Sequence, residues 1–210
     1  MSPVSKSRKP AFIVLGAPGA GKGTQGKILG SIPRFFHFAC GDVFRSLDTR
    51  TPLGRRFVEY SSRGELVPDE LTIELWRAQI DNVADTHAYK PDIDFLVLDG
   101  IPRNLRQAEL LDEYLDVLQV FHLSCPDRSE LARRMRKRAL KENRIDDANE
   151  TVIMRRLATY EAETKPILEH YPAGIIMNID ATQAPLQVVS DIVGRIMTLP
   201  EYHRMIDLHA

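Results

Sequence analysis

Lysine and arginine residues in this chain fall where they could grip phosphate. Lys22 closes the pattern G-x-x-x-x-G-K over Gly16-Ala17-Pro18-Gly19-Ala20-Gly21-Lys22. An apolar run precedes it and a helical stretch follows, which is the context that gives this pattern meaning. Bare backbone lets N–H groups converge on phosphate oxygens. The helix starting near Lys22 adds its positive end, and Lys22 adds a point charge. A glycine-rich strand-to-helix turn is the bland alternative, but such a turn has no use for the lysine. The general pattern continues with Ser or Thr as a metal ligand. Here Gly23 stands in that place and Thr24 follows. Mg²⁺ is therefore expected to be held loosely, through water, with Asp99 nearby. Asp99 ends the apolar run 95–98, and open α/β sheets bind ligands at that edge. A second concentration of charge lies further on: ten basic residues fall from Arg128 to Arg156, so not all can do chemistry. About four are expected to contact phosphate and the rest to face water.

These residues need a frame. Five short apolar runs, at 11–15, 35–38, 95–98, 118–123 and 174–179, are mostly continuous rather than alternating. That pattern predicts parallel strands buried on both faces. Helical stretches alternate with them at 69–80, 105–114, 128–140, 148–171 and 186–199, with Pro166 expected to kink or end the long one. The expectation is one three-layer α/β/α domain around a five-stranded parallel sheet. Two stretches, 40–68 and 138–148, fit the alternation poorly and read as insertions over the sheet. Trp76 and His37 read as structural, and Asp42 as a cap on the helix that carries Arg45.

Composition sets limits. A net charge of −1 gives no general attraction to nucleic acid or anionic membrane, so neither partner is expected. Cys40 and Cys125 belong to no C-x-x-C pair or Cys/His cluster, so no zinc site is expected. Sparse cysteine suggests a reducing compartment, hence a cytoplasmic protein. No apolar run approaches bilayer length. The polar, basic start MSPVSKSRKP lacks the apolar centre of a secretory signal and reads as a frayed tail.

The decade Gly-Ala-Pro-Gly-Ala-Gly-Lys-Gly-Thr-Gln at 16–25 resembles the phosphate loop of adenylate kinases and related nucleoside monophosphate kinases. In that family glycine follows the lysine and the hydroxyl comes one residue later. The resemblance implies donor-nucleotide contacts from Gly19, Ala20, Gly21, Lys22, Gly23 and Thr24. Further motifs follow in family order and span nearly the whole chain. Cys40-Gly41-Asp42-Val43-Phe44-Arg45 resembles T-G-D-x-L-R, which puts Cys40 at the acceptor nucleotide and Arg45 on its phosphate. Gly64-Glu65-Leu66-Val67-Pro68-Asp69 resembles G-x-L-V-x-D, which implies that Glu65, Leu66 and Val67 hold the acceptor base and ribose. Asp99-Gly100-Ile101-Pro102-Arg103 resembles D-G-F-P-R, with Gly100 at the acceptor and Arg103 as a second phosphate clamp. Ile101 replaces the usual Phe, so a stacking contact is expected to be lost. Gln107 matches the glutamine that reads the adenine of AMP; UMP/CMP kinases carry Asn there.

Arg134, Arg138 and Arg144 match the family's lid arginines, and Arg144-Ile145-Asp146-Asp147 matches R-x-D-D. Counting forward from Asp147 puts Arg155 in register with the next site arginine. Counting back from Tyr160 puts Arg156 there, and the longer match to R-L-x-x-Y favours Arg156 with one extra residue in the helix. Gln183 falls in a loop resembling the one that touches the donor adenine. The resemblance thus implies a core over 10–38, 69–137 and 149–199, an acceptor-binding insertion at 39–68, a short lid at 138–148 and a helical tail at 200–210. It implies Mg-dependent phosphoryl transfer between ATP and AMP to give ADP, in a protein expected to be monomeric. Catalytic contacts would come from Lys22, Arg103, Arg138, Arg144 and Arg156, with Arg144 and Arg156 also on the AMP side. Two alternatives stay open: a UMP/CMP kinase, since Cys40 replaces the usual Thr, or a nucleotide-binding regulator without turnover.

Overall fold

The structure, a computed structural model, describes residues 8–142 and 149–207. The frayed tail expected at the N-terminus lies largely outside them, as do Arg144 and the R-x-D-D motif.

Five parallel strands form one sheet: β1 (Lys9–Gly16), β2 (Phe35–Ala39), β3 (Phe95–Asp99), β4 (Leu115–Ser124) and β5 (Ile176–Asp180), in the order β2-β3-β1-β4-β5. Each expected run became a strand. Alternate residues of β1 feed two separate cores: Phe12 and Val14 enter one, Ala11, Ile13 and Leu15 the other. With both pleat faces buried, no polar alternation survives, which is why the runs were continuous. The first core is aromatic at its centre, Phe12 lying 5.4 Å from Phe95 and 6.1 Å from Phe121 between ring centroids. Trp76 is buried in the second core, as expected.

Nine helices among the described residues surround the sheet: α1 (Lys22–Leu29), α2 (Cys40–Arg45), α3 (Pro52–Ser62), α4 (Asp69–Asp85), α5 (Leu105–Leu111), α6 (Arg128–Glu142), α7 (Glu150–Thr159), α8 (Pro185–Ile196) and α9 (Pro200–Asp207). The stretch from Cys40 to Val67 contains no strand, and a stacked Phe44–Phe57 pair at 5.2 Å joins α2 to α3. No helix of the described residues is long and apolar enough to cross a membrane.

Several boundaries differ from the sequence expectation, among them α4, which runs to Asp85 rather than to residue 80. The helix expected to reach residue 114 stops at Leu111, because Tyr114 instead bonds back to Leu111 and accepts from Lys9, lengthening the β4 edge to Leu115. The last strand starts at Ile176 after a 3₁₀ turn over Ala173–Ile175. The long helix also changes type well before Pro166. Regular α-helix ends at Thr159, a π turn covers Tyr160–Thr164, and a 3₁₀ turn covers Lys165–Glu169. Proline has no N–H for the carbonyl four residues back, so the ladder widens ahead of it.

Candidate functional site

The carboxyl edge of the sheet opens into a cavity of about 1110 Å³. That exceeds the usual space of a single small-ligand pocket and leaves room for two nucleotides. The phosphate loop between β1 and α1 forms one end. Gly19 sits at φ 87°, and a Cβ there would lie 2.8 Å from the Leu131 carbonyl oxygen. Gly21 caps α1 at φ 100°. Any side chain at these positions would strain the loop or displace α6. Lys22 Nζ donates to the carbonyls of Gly16 at 2.7 Å and Ala17 at 3.1 Å. Burial, partly offset by Asp99 and reinforced by Arg103, Arg138 and Arg156, lowers its pKa to about 8. One carboxylate and three guanidinium groups therefore act on the Lys22 ammonium.

That carboxylate, Asp99, ends β3 beside Val14 of β1 and Ala39 of β2. A Cβ on Gly23 would stand 3.4 Å from Asp99 Oδ2, so the residue after the lysine and the strand-end acid share one place. Among the described residues no group of three His, Cys, Asp or Glu side chains could hold a metal by itself. The donor set is one hard oxygen acid beside a phosphate cradle. It suits an ion that keeps most of its water, as Mg²⁺ does. His37 Nε2 approaches Asp99 Oδ2 at 4.0 Å, but burial lowers the imidazole pKa, so the contact is not an ion pair at neutral pH. The ring packs into a slot of α1, where a Cβ at Gly26 would come 2.2 Å from Nε2. His37 is thus structural, as expected.

The other end of the cavity is built by α2, the 64–67 turn and the 100–107 segment. Arg45 pairs with Asp42 one helical turn back. Asp42 does not cap α2: Ala39 occupies that position without a side-chain bond. Cys40 is a buried wall whose thiol burial pushes up to about 11, so it stays protonated and is no nucleophile at neutral pH. Arg103 donates from Nε to the Gly100 carbonyl at 2.9 Å, which turns its guanidinium along the cavity floor. Ile101 is 1% exposed and packed in the second core, so its side chain offers the cavity no stacking surface. Glu65 directs both carboxylate oxygens at arginines, Oε1 to Arg155 and Oε2 to Arg63, each at 2.9 Å. Glu65, Leu66 and Val67 all line the cavity.

On the remaining wall, Arg134 donates to the Ala181 carbonyl at 2.8 Å and to Glu130 at 2.7 Å, tying α6 to the loop after β5. Gln183 lines that loop and donates to Asp191. The two adjacent arginines of α7 lie in different surroundings. Arg156 lines the cavity and acts on Lys22, whereas Arg155 points to Glu65. From its Asn149 cap to Thr159, α7 is regular helix.

Gly19, Ala20, Gly21, Gly23, Thr24, Gly100, Arg138 and Gln107 line the same cavity. Arg144, with the rest of the R-x-D-D motif, lies outside the described residues. Sequence reasoning missed Thr164, whose Oγ1 donates to the Arg103 carbonyl at 2.6 Å, and Tyr160 at the cavity wall. The G-x-L-V-x-D match includes Asp69 but gives no sign that Asp69 and Asn104 hold Gln107. A weak signal for Asn104 existed: Asn104-x-x-Gln107 ahead of an apolar run is a helix-start pattern.

A phosphate cradle, convergent cations and a strand-end acid on a doubly wound sheet define a nucleotide-dependent phosphotransferase. The comparisons give the family. Residues 14–175 match the family model described as "Adenylate kinase". The chain is 38% identical to an adenylate kinase of Thermus thermophilus over 87% of its own length and 94% of the relative's. It is 40% identical to an adenylate kinase of Thermobifida fusca, covering 85% and 93% of the two chains. A Mycoplasma pneumoniae adenylate kinase is 32% identical over 89% and 97%. The chain belongs to the adenylate kinase family.

Proposed function

We propose that the chain transfers the terminal phosphoryl group reversibly from Mg·ATP to AMP, giving two ADP. One observation carries this reading. A single cavity holds the phosphate cradle at one end and Arg45 with Gln107 at the other, while Lys22, Arg103, Arg138 and Arg156 meet between them. Phosphoryl transfer needs two nucleotides in line, neutralised charge and little covalent help.

In this reading, the loop amides from Gly19 to Thr24 and Lys22 hold the donor phosphates. Arg134 and Gln183 flank the donor base. Arg45 and Arg103 clamp the AMP phosphate, and Cys40, Gly100, Gln107 and the 65–67 backbone enclose its nucleoside. Arg138 and Arg156, with Arg144, surround the phosphoryl group in flight. Mg²⁺ would supply charge neutralisation on the donor phosphates, with Asp99 as the protein's acid beside it. The segments 39–68 and 138–148 serve as acceptor-binding insertion and lid. They exclude water so that ATP is not hydrolysed.

A coupled assay offering AMP, GMP, UMP and CMP with Mg·ATP tests the reading. ADP formation with AMP far above the others is the expected result. Preferred use of UMP or CMP, or no turnover with any acceptor, overturns it.

A further inference from the structure

Gln107 is 1% exposed, yet it lines the acceptor end of the cavity. Its amide makes two protein bonds. Oε1 accepts the Arg103 backbone N–H at 2.8 Å, and Nε2 donates to Asp69 Oδ1 at 2.9 Å. The same Asp69 oxygen accepts Asn104 Nδ2 at 2.8 Å, and Asn104 Oδ1 in turn accepts the Gln107 backbone N–H at 2.9 Å. The chemistry of the partners dictates this arrangement. A backbone N–H can only donate, so the amide atom facing it must be oxygen. An ionised carboxylate can only accept, so the atom facing Asp69 must be nitrogen. Turning the amide over would oppose donor to donor and acceptor to acceptor inside a buried site.

Two valences of the amide remain: one N–H on Nε2 and one lone pair on Oε1. Adenine presents an acceptor at N1 and a donor at its 6-amino group. A 6-oxopurine presents the reverse, a donor at N1 and an acceptor at O6. Which base fits therefore depends on which end of the amide is which, not merely on a glutamine being present.

We propose that Asp69, at the start of α4, is a specificity-determining positioning residue: it holds the Gln107 amide in the one orientation that favours a 6-aminopurine over a 6-oxopurine acceptor. This rests on the reading of the chain as an AMP kinase with Gln107 at the acceptor base. Asp69 acts through Gln107, which lies 38 residues away in sequence; among the described residues its side-chain bonds go to Gln107 and Asn104.

The test is acceptor kinetics with AMP and IMP, at saturating Mg·ATP, for the wild type and for Asp69→Ala, Asp69→Ser and Asp69→Asn. Asp69→Ser suits a helix start but is too short to reach both amides. It serves where Asp69→Ala folds poorly, and thermal unfolding of each variant reports that directly. The Ala and Ser variants are expected to raise KM for AMP about tenfold, with kcat within about twofold. Their kcat/KM preference for AMP over IMP should narrow by about tenfold or more. Asp69→Asn keeps an oxygen for both amides and should restore most of the preference. An unchanged preference in a folded Ala or Ser variant overturns the proposal, as does a fall in kcat with KM and preference intact. A wild type that phosphorylates no AMP would instead defeat the underlying functional reading, so the two failures are distinguishable.

Discussion

Lys22 shows how a site residue can work against the fold that carries it. Its folded pKa of about 8 lies below the ordinary lysine value of 10.5, because burial and three arginines outweigh Asp99. The unfolded chain therefore binds more protons between those values. Below about pH 8 the penalty is fully present, and it lifts as pH rises toward 10.5, so stability rises across that window. The shift corresponds to a penalty of about 3 kcal/mol at neutral pH. Lys22→Met should lower kcat by about 10²–10³-fold. Its ligand-free melting temperature at pH 7 should equal or exceed that of the parent. Steady-state kinetics and calorimetry check both halves. A variant that keeps near-normal turnover would remove Lys22 from the mechanism, and a large loss of stability would remove the penalty.

At the scale of elements, α7 sends two adjacent arginines to different surroundings. Arg156 lines the cavity, while Arg155 reaches across to Glu65 in the turn before α4. The pair is half exposed, so its worth is at most about 1 kcal/mol. Arg155→Ala should therefore raise KM for AMP about two- to fivefold with kcat unchanged, whereas Arg156→Ala should cut kcat by about 10²-fold or more. Equal effects from the two would mean that the register is misassigned. The turn that follows α7 is anchored by buried polar contacts. Tyr160, its hydroxyl held protonated by a pKa pushed up to about 12, lies 2.8 Å from His122 Nε2, and His122 Nδ1 lies 2.7 Å from Asn178. Tyr160→Phe leaves a buried ring nitrogen without its partner and should cost about 1–3 kcal/mol in denaturant unfolding. The chain sequence showed the strands and the arginine set, because continuous apolar runs and charged motifs are local signals. It could not show the π turn, which compromises between helix propensity and a proline two residues past its end. Nor could it show Glu65–Arg155 or Asp69–Gln107, which join residues far apart in sequence that meet only once the helices have docked.

Across the whole molecule, charge is balanced in sum and segregated in space. The net charge is −1, yet Lys22, Arg45, Arg103, Arg134, Arg138 and Arg156 all line one cavity. The sheet brings this about. Its strand order collects the ends of β1 and β3 side by side, and α6 and α7 then cross the same edge. Further basic residues stand at the mouth on α6, among them Lys137 and Lys141, both exposed. Exposed charges in that place add to the field that draws in a polyanion. Their contribution should therefore appear in capture of Mg·ATP and not in the chemical step. Replacing both by Gln should raise KM for Mg·ATP about two- to fivefold at low ionic strength with kcat unchanged. At about 0.5 M salt the Debye length shrinks to a few ångströms, and the difference should vanish. Initial rates across a salt series decide the matter. A KM difference that persists at high salt would mean direct contact with the bound phosphates, and a fall in kcat would place these lysines in the catalytic constellation itself.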